Sequence, residues 1–313
     1  MNLAKYSPAE LILASRTKSK LEAVVKTIRE SGASVQPKIV LLDLASQQSV
    51  RNAATVVSGL VNHIDILVNN AAIVTSDLRH TDEGIELQFG TGHIGHFLFT
   101  TLLLPLFKKV AASSSVQKGA TRIINISSMG HRLSPVRFHD YNFEGREIST
   151  EEQPPKDTPK KFLPTSDEPY KTFAAYGQAK TANILFSIGL NDKFAAEGIK
   201  SYAVHPGGEL SLSFSKNLMI MLTNAAIWTD LSRNLNTEDY KFIEGIAEFV
   251  THDQGTSTML VAALDPALNE HEGSAYMSDC QITDAAPHAQ DVEVARRLWK
   301  LSEDLTSDHR SRI

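Results

Sequence analysis

The chain has 313 residues, of which 42% are hydrophobic and 21% charged, and its formal net charge is −5 at pH 7. This composition can fill a hydrophobic core, so it excludes general disorder. The mildly acidic balance argues against a nucleic-acid-binding surface, which needs clustered Lys and Arg. The one cysteine, Cys280, excludes an intrachain disulfide and an all-cysteine metal site, and it predicts a cytoplasmic protein.

Neither a membrane span nor an export signal is predicted. The longest apolar stretch, residues 97–107, contains Pro105 and is shorter than the roughly 20 residues that a span needs. Residues 1–10 lack the basic start and apolar run of a signal peptide. The sequence is compatible with a homo-oligomer.

Short apolar runs alternate along the chain with longer amphipathic stretches. Strands are predicted at residues 10–14, 38–42, 64–68, 122–126 and 200–204, and helices at 18–30, 48–61, 84–108, 174–196 and from 291 onward. Strands rich in Ile, Leu and Val that alternate with helices form parallel sheets covered on both faces. The pattern therefore predicts an α/β fold with a doubly wound parallel sheet. Residues 146–169, dense in Glu, Lys, Pro, Ser and Thr, predict a solvated excursion.

A Tyr-x-x-x-Lys motif, Tyr176 to Lys180, lies on a predicted helix. Residues four apart share one helix face, so the phenol and the ammonium can share a site. A free tyrosine has a pKa of about 10, and a nearby ammonium favours the phenolate and lowers that pKa. Alone the motif is weak, because two unrelated residues on a solvated face have the same spacing.

Polar residues at the ends of predicted strands strengthen the motif. Ser127 and Ser128 follow one strand, residues 67–72 (LVNNAA) end another, and residues 203–207 (AVHPG) end a third. Ligands of parallel sheets bind at these carboxyl ends. With these motifs in order, the chain resembles the short-chain dehydrogenase/reductase family from residue 11 to residue 301. It is most similar to the retinol-dehydrogenase-like and WW-domain-oxidoreductase-like branch, especially its fungal members, through residues 11–17 (LILASRT), 86–90 (ELQFG) and 134–143 (SPVRFHDYNF).

The resemblance implies a single Rossmann-like domain over residues 1–313 and a set of catalytic residues. Tyr176 matches the family's proton donor or acceptor, and Lys180 the residue that lowers its pKa and holds the nicotinamide ribose. Ser128 matches the serine that polarises the substrate carbonyl, with Ser127 as the alternative.

It also implies cofactor-binding residues. Asn70 and Ala71 match the element that lines the adenosine half, and Asp43 matches an acid that meets the adenine amino group, with a helix-capping carboxylate as the alternative. Arg16 follows the first predicted strand, where NAD enzymes place an acid and NADP enzymes place Arg. A guanidinium binds a 2′-phosphate through two hydrogen bonds, so NADP is expected, and a solvated basic turn is the alternative.

The chain departs from the family at three points. A first strand and a Thr-Gly-x-x-x-Gly-x-Gly turn should precede residue 11 by about 30 residues, but no glycine stands among residues 1–10. We therefore expect the first strand of the sheet to be missing, with a central gap. Gly92 stands where relatives carry an active-site Asn of the proton relay, and Gln88 or His93 is the alternative source of that function.

The third departure follows Gly207. Read directly, the Pro-Gly-x-x-x-Thr motif ends in Ser211, but residues 226–233 look like the expected continuation. Residues 208–225 would then be an insertion in the substrate loop, either a retained intron or a true insertion. In this alignment Ile227 and Thr229 match the residues that contact the nicotinamide amide and a cofactor phosphate.

The leading interpretation is an NADP(H)-dependent oxidoreductase that interconverts a carbonyl and an alcohol on a small lipophilic substrate, in fungal secondary metabolism. The alternative is a degenerate, catalytically weak family member that acts as a binding protein, or an incomplete gene product. Hydrolase chemistry lacks support, since no Gly-x-Ser-x-Gly turn holds Ser127 or Ser128.

Overall fold

The computed structural model describes residues 2–207, 226–227, 230–246 and 249–307. The expected insertion at 208–225 and Thr229 lie outside these ranges. The described strands are β1 (Ile12–Ser15), β2 (Lys38–Leu41), β3 (Ile66–Asn69), β4 (Thr121–Ile126), β5 (Ile199–Val204), β6 (Ala226–Ile227), β7 (Phe249–Val250), β8 (Tyr276–Ser278) and β9 (Gln281–Ile282).

The helices fall between these strands, as an alternating α/β chain requires. They are α1 (Lys18–Glu30), α2 (Gln47–Leu60), α3 (Leu87–Phe89), α4 (Gly95–Ala111), α5 (Thr172–Phe194), α6 (Thr237–Ile246), α7 (His252–Leu264) and α8 (Val292–Thr306). A π-helical turn, Gly90–Ile94, joins α3 to α4, so that one helix runs from Leu87 to Ala111. The predicted strands and helices agree with these bounds to within about three residues, whereas β6 to β9 were not predicted.

Alternate side chains of the central strands enter two different cores. Ile123 of β4 and Ile199 of β5 pack in a cluster with α2, α4 and α5, which includes Phe97, Phe186 and Trp299. Ile124 of β4 and its neighbours on the same face pack against α7. Because strand side chains alternate between faces, this arrangement covers the sheet with helices on both sides. The predicted doubly wound α/β fold is confirmed.

The parallel sheet is divided into two parts. Strands β1 and β2 pair in parallel as a two-stranded sheet, and β3, β4, β5, β8 and β9 form a separate five-stranded sheet in that order. A doubly wound sheet with strand order 3-2-1-4-5-6 places its first strand between the positions that β1 and β3 hold here. No described strand occupies that position, so the expected central gap is present among the described residues.

Burial of the strands reflects this gap. All six residues of β4 are buried, as a central strand requires. On either side of the gap, β1 has no buried residue and β3 has only Asn69. Ile12 of β1 and Leu67 of β3 both pack against the cluster that contains α2 and α4. The two parts of the sheet therefore share one core on this face.

The helix from Leu87 to Ala111 is, among the described residues, the one helix long and apolar enough to cross a membrane. More than half of its most apolar window, 56%, is buried inside the fold, as in the core helix of many proteins that do not span membranes. Its residues Phe97, Leu103 and Phe107 belong to the shared core. The expectation that no segment spans a membrane stays a prediction.

The excursion at 146–169 is less solvated than predicted. Glu152 is 2% exposed and pairs with His139 and Arg297, while Phe162 packs edge to face on Phe173. These two anchors and the buried Thr158 hold the Pro-rich segment against the body of the protein. Composition alone missed them because each is a single residue in a polar run.

Hydrogen exchange should reveal the gap. Amides of β1 should exchange at least about tenfold faster than those of β4, because few buried side chains cover β1 and one of its edges has no described partner strand. Hydrogen–deuterium exchange with peptide-level mass spectrometry measures both segments in one sample. Equal protection of the two strands would show that the edge of β1 is covered.

Candidate active site

Ser128 directly follows β4 and begins a 3₁₀ turn, Met129–Leu133. Its half-buried hydroxyl accepts a hydrogen bond from the Gly130 amide at 3.1 Å, as an N-cap serine does. The neighbouring Ser127 is buried, and its hydroxyl donates to the Lys180 carbonyl at 2.8 Å. Ser127 therefore ties β4 to α5, whereas Ser128 is only partly buried.

Tyr176 lies on α5 against the turn that Ser128 begins. A Cβ atom built on Gly130 would be 2.7 Å from Cε1 of Tyr176 and 3.5 Å from Oγ of Ser128, so both groups surround the same point. The Ser128 hydroxyl also lies close enough to the Tyr176 phenol to act on its pKa. Lys180, one turn along the helix, has its Nζ 5.5 Å from the centre of the Tyr176 ring and donates to the Ile126 carbonyl at 2.9 Å. The structure thus brings the three predicted catalytic side chains together.

The electrostatics of this cluster differ from the sequence expectation. Burial raises the pKa of Tyr176 above its usual value, and the neighbouring Ser128 hydroxyl acts against that rise. Burial also lowers the pKa of Lys180 to about 8, which leaves its ammonium mostly protonated at neutral pH. The sequence predicted that Lys180 lowers the pKa of Tyr176, whereas burial raises it, because desolvation penalises the phenolate.

Gly92 lies in the π-helical turn and faces α5. A Cβ atom at this position would meet only the Cβ of Ala179, at 3.4 Å, and Ala179 precedes Lys180. A π-helical turn inside an α-helix often marks a functional site. A Cβ atom at Gly92 would therefore fit next to the residue that precedes Lys180.

The two residues considered as substitutes for Asn at position 92 are engaged elsewhere. His93 is fully buried, and its Nε2 is hydrogen-bonded to Ser302 of α8 at 2.8 Å. The Gln88 amide donates to the Tyr170 hydroxyl at 2.8 Å and to the Thr172 carbonyl at 3.1 Å. None of these three hydrogen bonds involves Tyr176 or Lys180.

The residues expected on the cofactor side follow the ends of β1, β2 and β3. Arg16 is exposed directly after β1, and α1 has no acidic residue in its first turn. Asp43 follows β2 and accepts the Ala45 amide at 3.0 Å. That bond lies in the turn before α2, where Ser46 is the N-cap residue, so Asp43 does not cap the helix.

Asn70 and Ala71 are exposed after β3, and the Ala71 carbonyl accepts a hydrogen bond from His96 at 2.8 Å. Ile227 belongs to β6, which pairs in parallel with β7. Thr229 lies outside the described residues, so its expected phosphate contact has no structural account.

Sequence reasoning missed a buried amide network beneath the site. Asn69 is 3% exposed and donates to Thr100 and to Asn125, and Asn125 in turn donates to Ser187 of α5. The adjacent residues Asn69 and Asn70 were the sequence signal for this network. Side chains alternate between the two faces of a strand, so only one of the two asparagines is buried. The network links β3, β4, α4 and α5 and so holds the carboxyl ends of two strands in register.

Comparisons with known proteins place this fold and site in a family. The family model described as "short chain dehydrogenase" matches residues 2–142. Retinol dehydrogenase 11 of Mus musculus is 31% identical over 297 residues, which are 95% of this chain and 78% of the mouse protein. Oxidoreductase fscI of Fusarium equiseti is 34% identical over 209 residues, which are 66% of this chain and 80% of the fungal protein. The chain belongs to the short-chain dehydrogenase family, and its relatives are of the retinol-dehydrogenase type.

Solved structures share the fold. A protein of Mycobacterium paratuberculosis superposes with a TM-score of 0.59 at 27% identity, covering 94% of this chain and 83% of that one. A short-chain dehydrogenase from Sphingobium yanoikuyae in complex with NADPH gives a TM-score of 0.55 at 17% identity, covering 100% of this chain and 90% of that one. These likenesses agree with the Rossmann-type arrangement of strands and helices.

Stability should fall as the pH is lowered. Burial lowers the pKa values of His93 and His131 to about 3 and those of His96 and His205 to about 4. The unfolded chain takes up protons on these groups below about pH 6.5 while the folded chain does not, so their stabilising contribution is lost from pH 6.5 downward. Each contributes up to about 1.4 kcal/mol per pH unit to that slope. Burial raises the pKa of Glu86 to about 7, so between pH 7 and 5 the folded chain binds a proton there more readily than the unfolded chain. This single group therefore opposes the effect of the four histidines.

Urea unfolding at pH 7 and pH 5 measures this slope. His93→Gln should flatten it by about one proton per molecule, whereas His63→Gln should leave it unchanged, because the His63 side chain is 53% exposed. An equal free energy of unfolding at the two pH values in the unsubstituted chain would contradict the prediction.

Proposed function

We propose that this protein is an NADP(H)-dependent oxidoreductase that interconverts a carbonyl and an alcohol on a small lipophilic molecule. The observation that carries the proposal is the grouping of three side chains: the Tyr176 ring and the Ser128 Oγ both lie against Gly130, and the Lys180 Nζ is 5.5 Å from the centre of that ring. A hydroxyl pair of this kind can bind a carbonyl oxygen and pass it a proton.

The residues at the site fit the cofactor in part. Exposed Arg16 and a first turn of α1 without acid suit the 2′-phosphate of NADP, and the family resemblance assigns Lys180 to the nicotinamide ribose. The glycine-rich amides that would bind the pyrophosphate are not among the first ten residues. Bound NADPH would supply the hydride.

The chain's own groups have separate tasks in the proposed reduction. The Ser128 Oγ accepts from the Gly130 amide, which leaves its hydrogen free to donate to a substrate oxygen. Tyr176 would pass its phenolic proton to the same oxygen as negative charge develops there. The Lys180 ammonium favours the resulting phenolate, whose formation burial otherwise opposes.

The substrate class and setting are proposed from similarity. Retinol dehydrogenase 11 is named for a lipophilic alcohol, which fits a small lipophilic carbonyl or alcohol as the substrate here. The similarity to a Fusarium oxidoreductase is compatible with a place in fungal secondary metabolism. We further propose a cytoplasmic location, from the one free cysteine, Cys280.

Turnover by the 313-residue chain should be slow and should recover in steps. Without the Gly-rich turn, the cofactor pyrophosphate loses charge-assisted hydrogen bonds worth about 1.5–3 kcal/mol each. The loss of three such bonds weakens NADP(H) binding at least about a thousandfold. Loss of acid–base assistance at Gly92 costs a further factor on the order of 10²–10⁴. Adding an N-terminal strand and Gly-rich turn, deleting residues 208–225 and introducing Gly92→Asn should each raise NADPH oxidation with a panel of lipophilic carbonyls.

Tyr176→Phe should abolish turnover in the restored chain, because a ring without a hydroxyl cannot pass a proton. Tyr141→Phe removes the same atom from a tyrosine that packs on Phe89, outside the site, and should leave the rate unchanged. Rapid, Tyr176-dependent NADPH oxidation by the unmodified chain would refute the expected weak binding. No turnover after all three changes would favour the alternative function as a binding protein.

The choice of NADP can be tested at Arg16. Arg16→Glu in the restored chain should weaken NADPH binding by about ten- to a hundredfold, since a charge-assisted hydrogen bond is worth about 1.5–3 kcal/mol. NADH binding should change little, because NADH has no 2′-phosphate. Lys26→Glu, which makes the same charge change farther along α1, is the control. Fluorescence titration gives both affinities, and an equal loss for the two cofactors would reject the assignment.

A further inference from the structure

Every hydrogen-bonding atom of His131 is used, although no part of the side chain reaches solvent. Its amide and its ring Nδ1 both contact the Ser128 carbonyl, at 3.1 and 2.6 Å. Its Nε2 accepts from the Ala286 amide at 2.9 Å. Its carbonyl accepts from His288 and from Thr181, each at 2.9 Å. His131 therefore joins the serine turn, α5 and the segment 284–290.

These contacts fix the protonation of the ring. Because the Ala286 amide donates to Nε2, that nitrogen carries a lone pair, and the proton of the neutral imidazole must be on Nδ1. Nδ1 therefore donates to the Ser128 carbonyl. Burial lowers the pKa of His131 to about 3, and cationic Arg132 nearby acts in the same direction, so the ring is neutral at physiological pH.

The ring is also held by packing. It lies edge to face on Tyr276 of β8, with 4.9 Å between the ring centres. Tyr276 is 1% exposed and belongs to a cluster with Ala285 and Ala289. The imidazole thus bridges two rigid parts, the end of β4 and the segment after β9.

We propose that His131 is a positioning residue for Ser128: its Nδ1–H and the Ala286 amide clamp the serine carbonyl to the 284–290 segment and so hold the Ser128 hydroxyl against Tyr176. The role in catalysis rests on the proposed function, but the clamp itself does not. Ser128 is the N-cap of its turn, with its Oγ bonded to the Gly130 amide. Once the carbonyl is fixed, this second bond holds the Ser128 Oγ next to Gly130, which the Tyr176 ring also contacts.

Two substitutions separate the two arms of the clamp. In His131→Asn the side-chain amide overlays Nδ1 and can still donate to the Ser128 carbonyl, but it cannot reach Ala286. In His131→Gln the amide overlays Nε2 and can still accept from Ala286, but the donor to Ser128 is lost. Both variants remove the aromatic ring, so a role in packing alone would affect them alike.

The readout is the ring ¹³Cζ resonance of Tyr176 in the full chain without cofactor. The protein has seven tyrosines, and loss of one signal in Tyr176→Phe assigns the resonance. Ser128→Ala removes the serine hydroxyl and so gives the chemical-shift displacement of the Tyr176 resonance that is expected when this hydroxyl no longer lies beside the phenol. His131→Gln should move the resonance most of the way toward the Ser128→Ala position, and His131→Asn should leave it near that of the unsubstituted chain. Combining His131→Gln with Ser128→Ala should add no further displacement.

Equal displacement in the Asn and Gln variants, or none in either, would overturn the proposal. If His131→Gln does not fold, Ala286→Pro tests the same clamp from the other side, because it removes the amide donor. The φ of −61° at Ala286 suits proline. A displacement in Ala286→Pro supports the clamp, and its absence rejects it. The measurement needs no turnover, so failure of the chain to reduce carbonyls leaves this result intact.

Discussion

The attachment of α5 to the carboxyl end of β4 is the constraint on which the site depends. The Ile126 carbonyl accepts from Lys180 and from Asn183, each at 2.9 Å, and Ser127 donates back to the Lys180 carbonyl at 2.8 Å. A reciprocal set of bonds between one strand end and two turns of a helix fixes both rotation and translation of that helix. Tyr176 is one turn away from this anchor, so its position is set by the anchor.

The close approach of α5 to the serine turn depends on small residues. A Cβ atom at Gly177 would be 2.9 Å from the Gly130 carbonyl oxygen and 3.0 Å from the Ser134 amide nitrogen. Glycine at this position therefore lets the helix backbone contact the turn backbone directly. The Tyr176 ring then lies over Gly130, beside the Ser128 hydroxyl.

The sequence predicted the parts of the fold that rest on repeated local signals. Runs of Ile, Leu and Val located β1 to β5, because a buried strand needs several apolar residues in succession. It did not predict β8, whose three residues, Tyr276 to Ser278, are too few to form such a run. Their place in the sheet is decided by β5, which pairs with them in parallel over only two residues.

At the site, the sequence identified which residues lie together but not their environment. The spacing of Tyr176 and Lys180 placed them on one helix face, and the structure agrees. Spacing carries no information on solvent exclusion, so it suggested a lowered pKa for Tyr176 where burial raises it. The same limit hid His131, because a histidine in a polar turn looks exposed until the packing of Tyr276 over it is known.

The divided sheet also separates two groups of the predicted site residues. Ser128, Tyr176 and Lys180 rest on β4, β5 and α5, whose strands are buried and continuously paired. Arg16 and Asp43 follow β1 and β2, which form their own sheet on the other side of the gap. The hydrogen bonds of Ser127, Ser128 and Lys180 that connect β4, the serine turn and α5 therefore do not involve β1 or β2. This explains how a chain with an interrupted sheet and with Gly92 in place of Asn still holds a serine, a tyrosine and a lysine in contact.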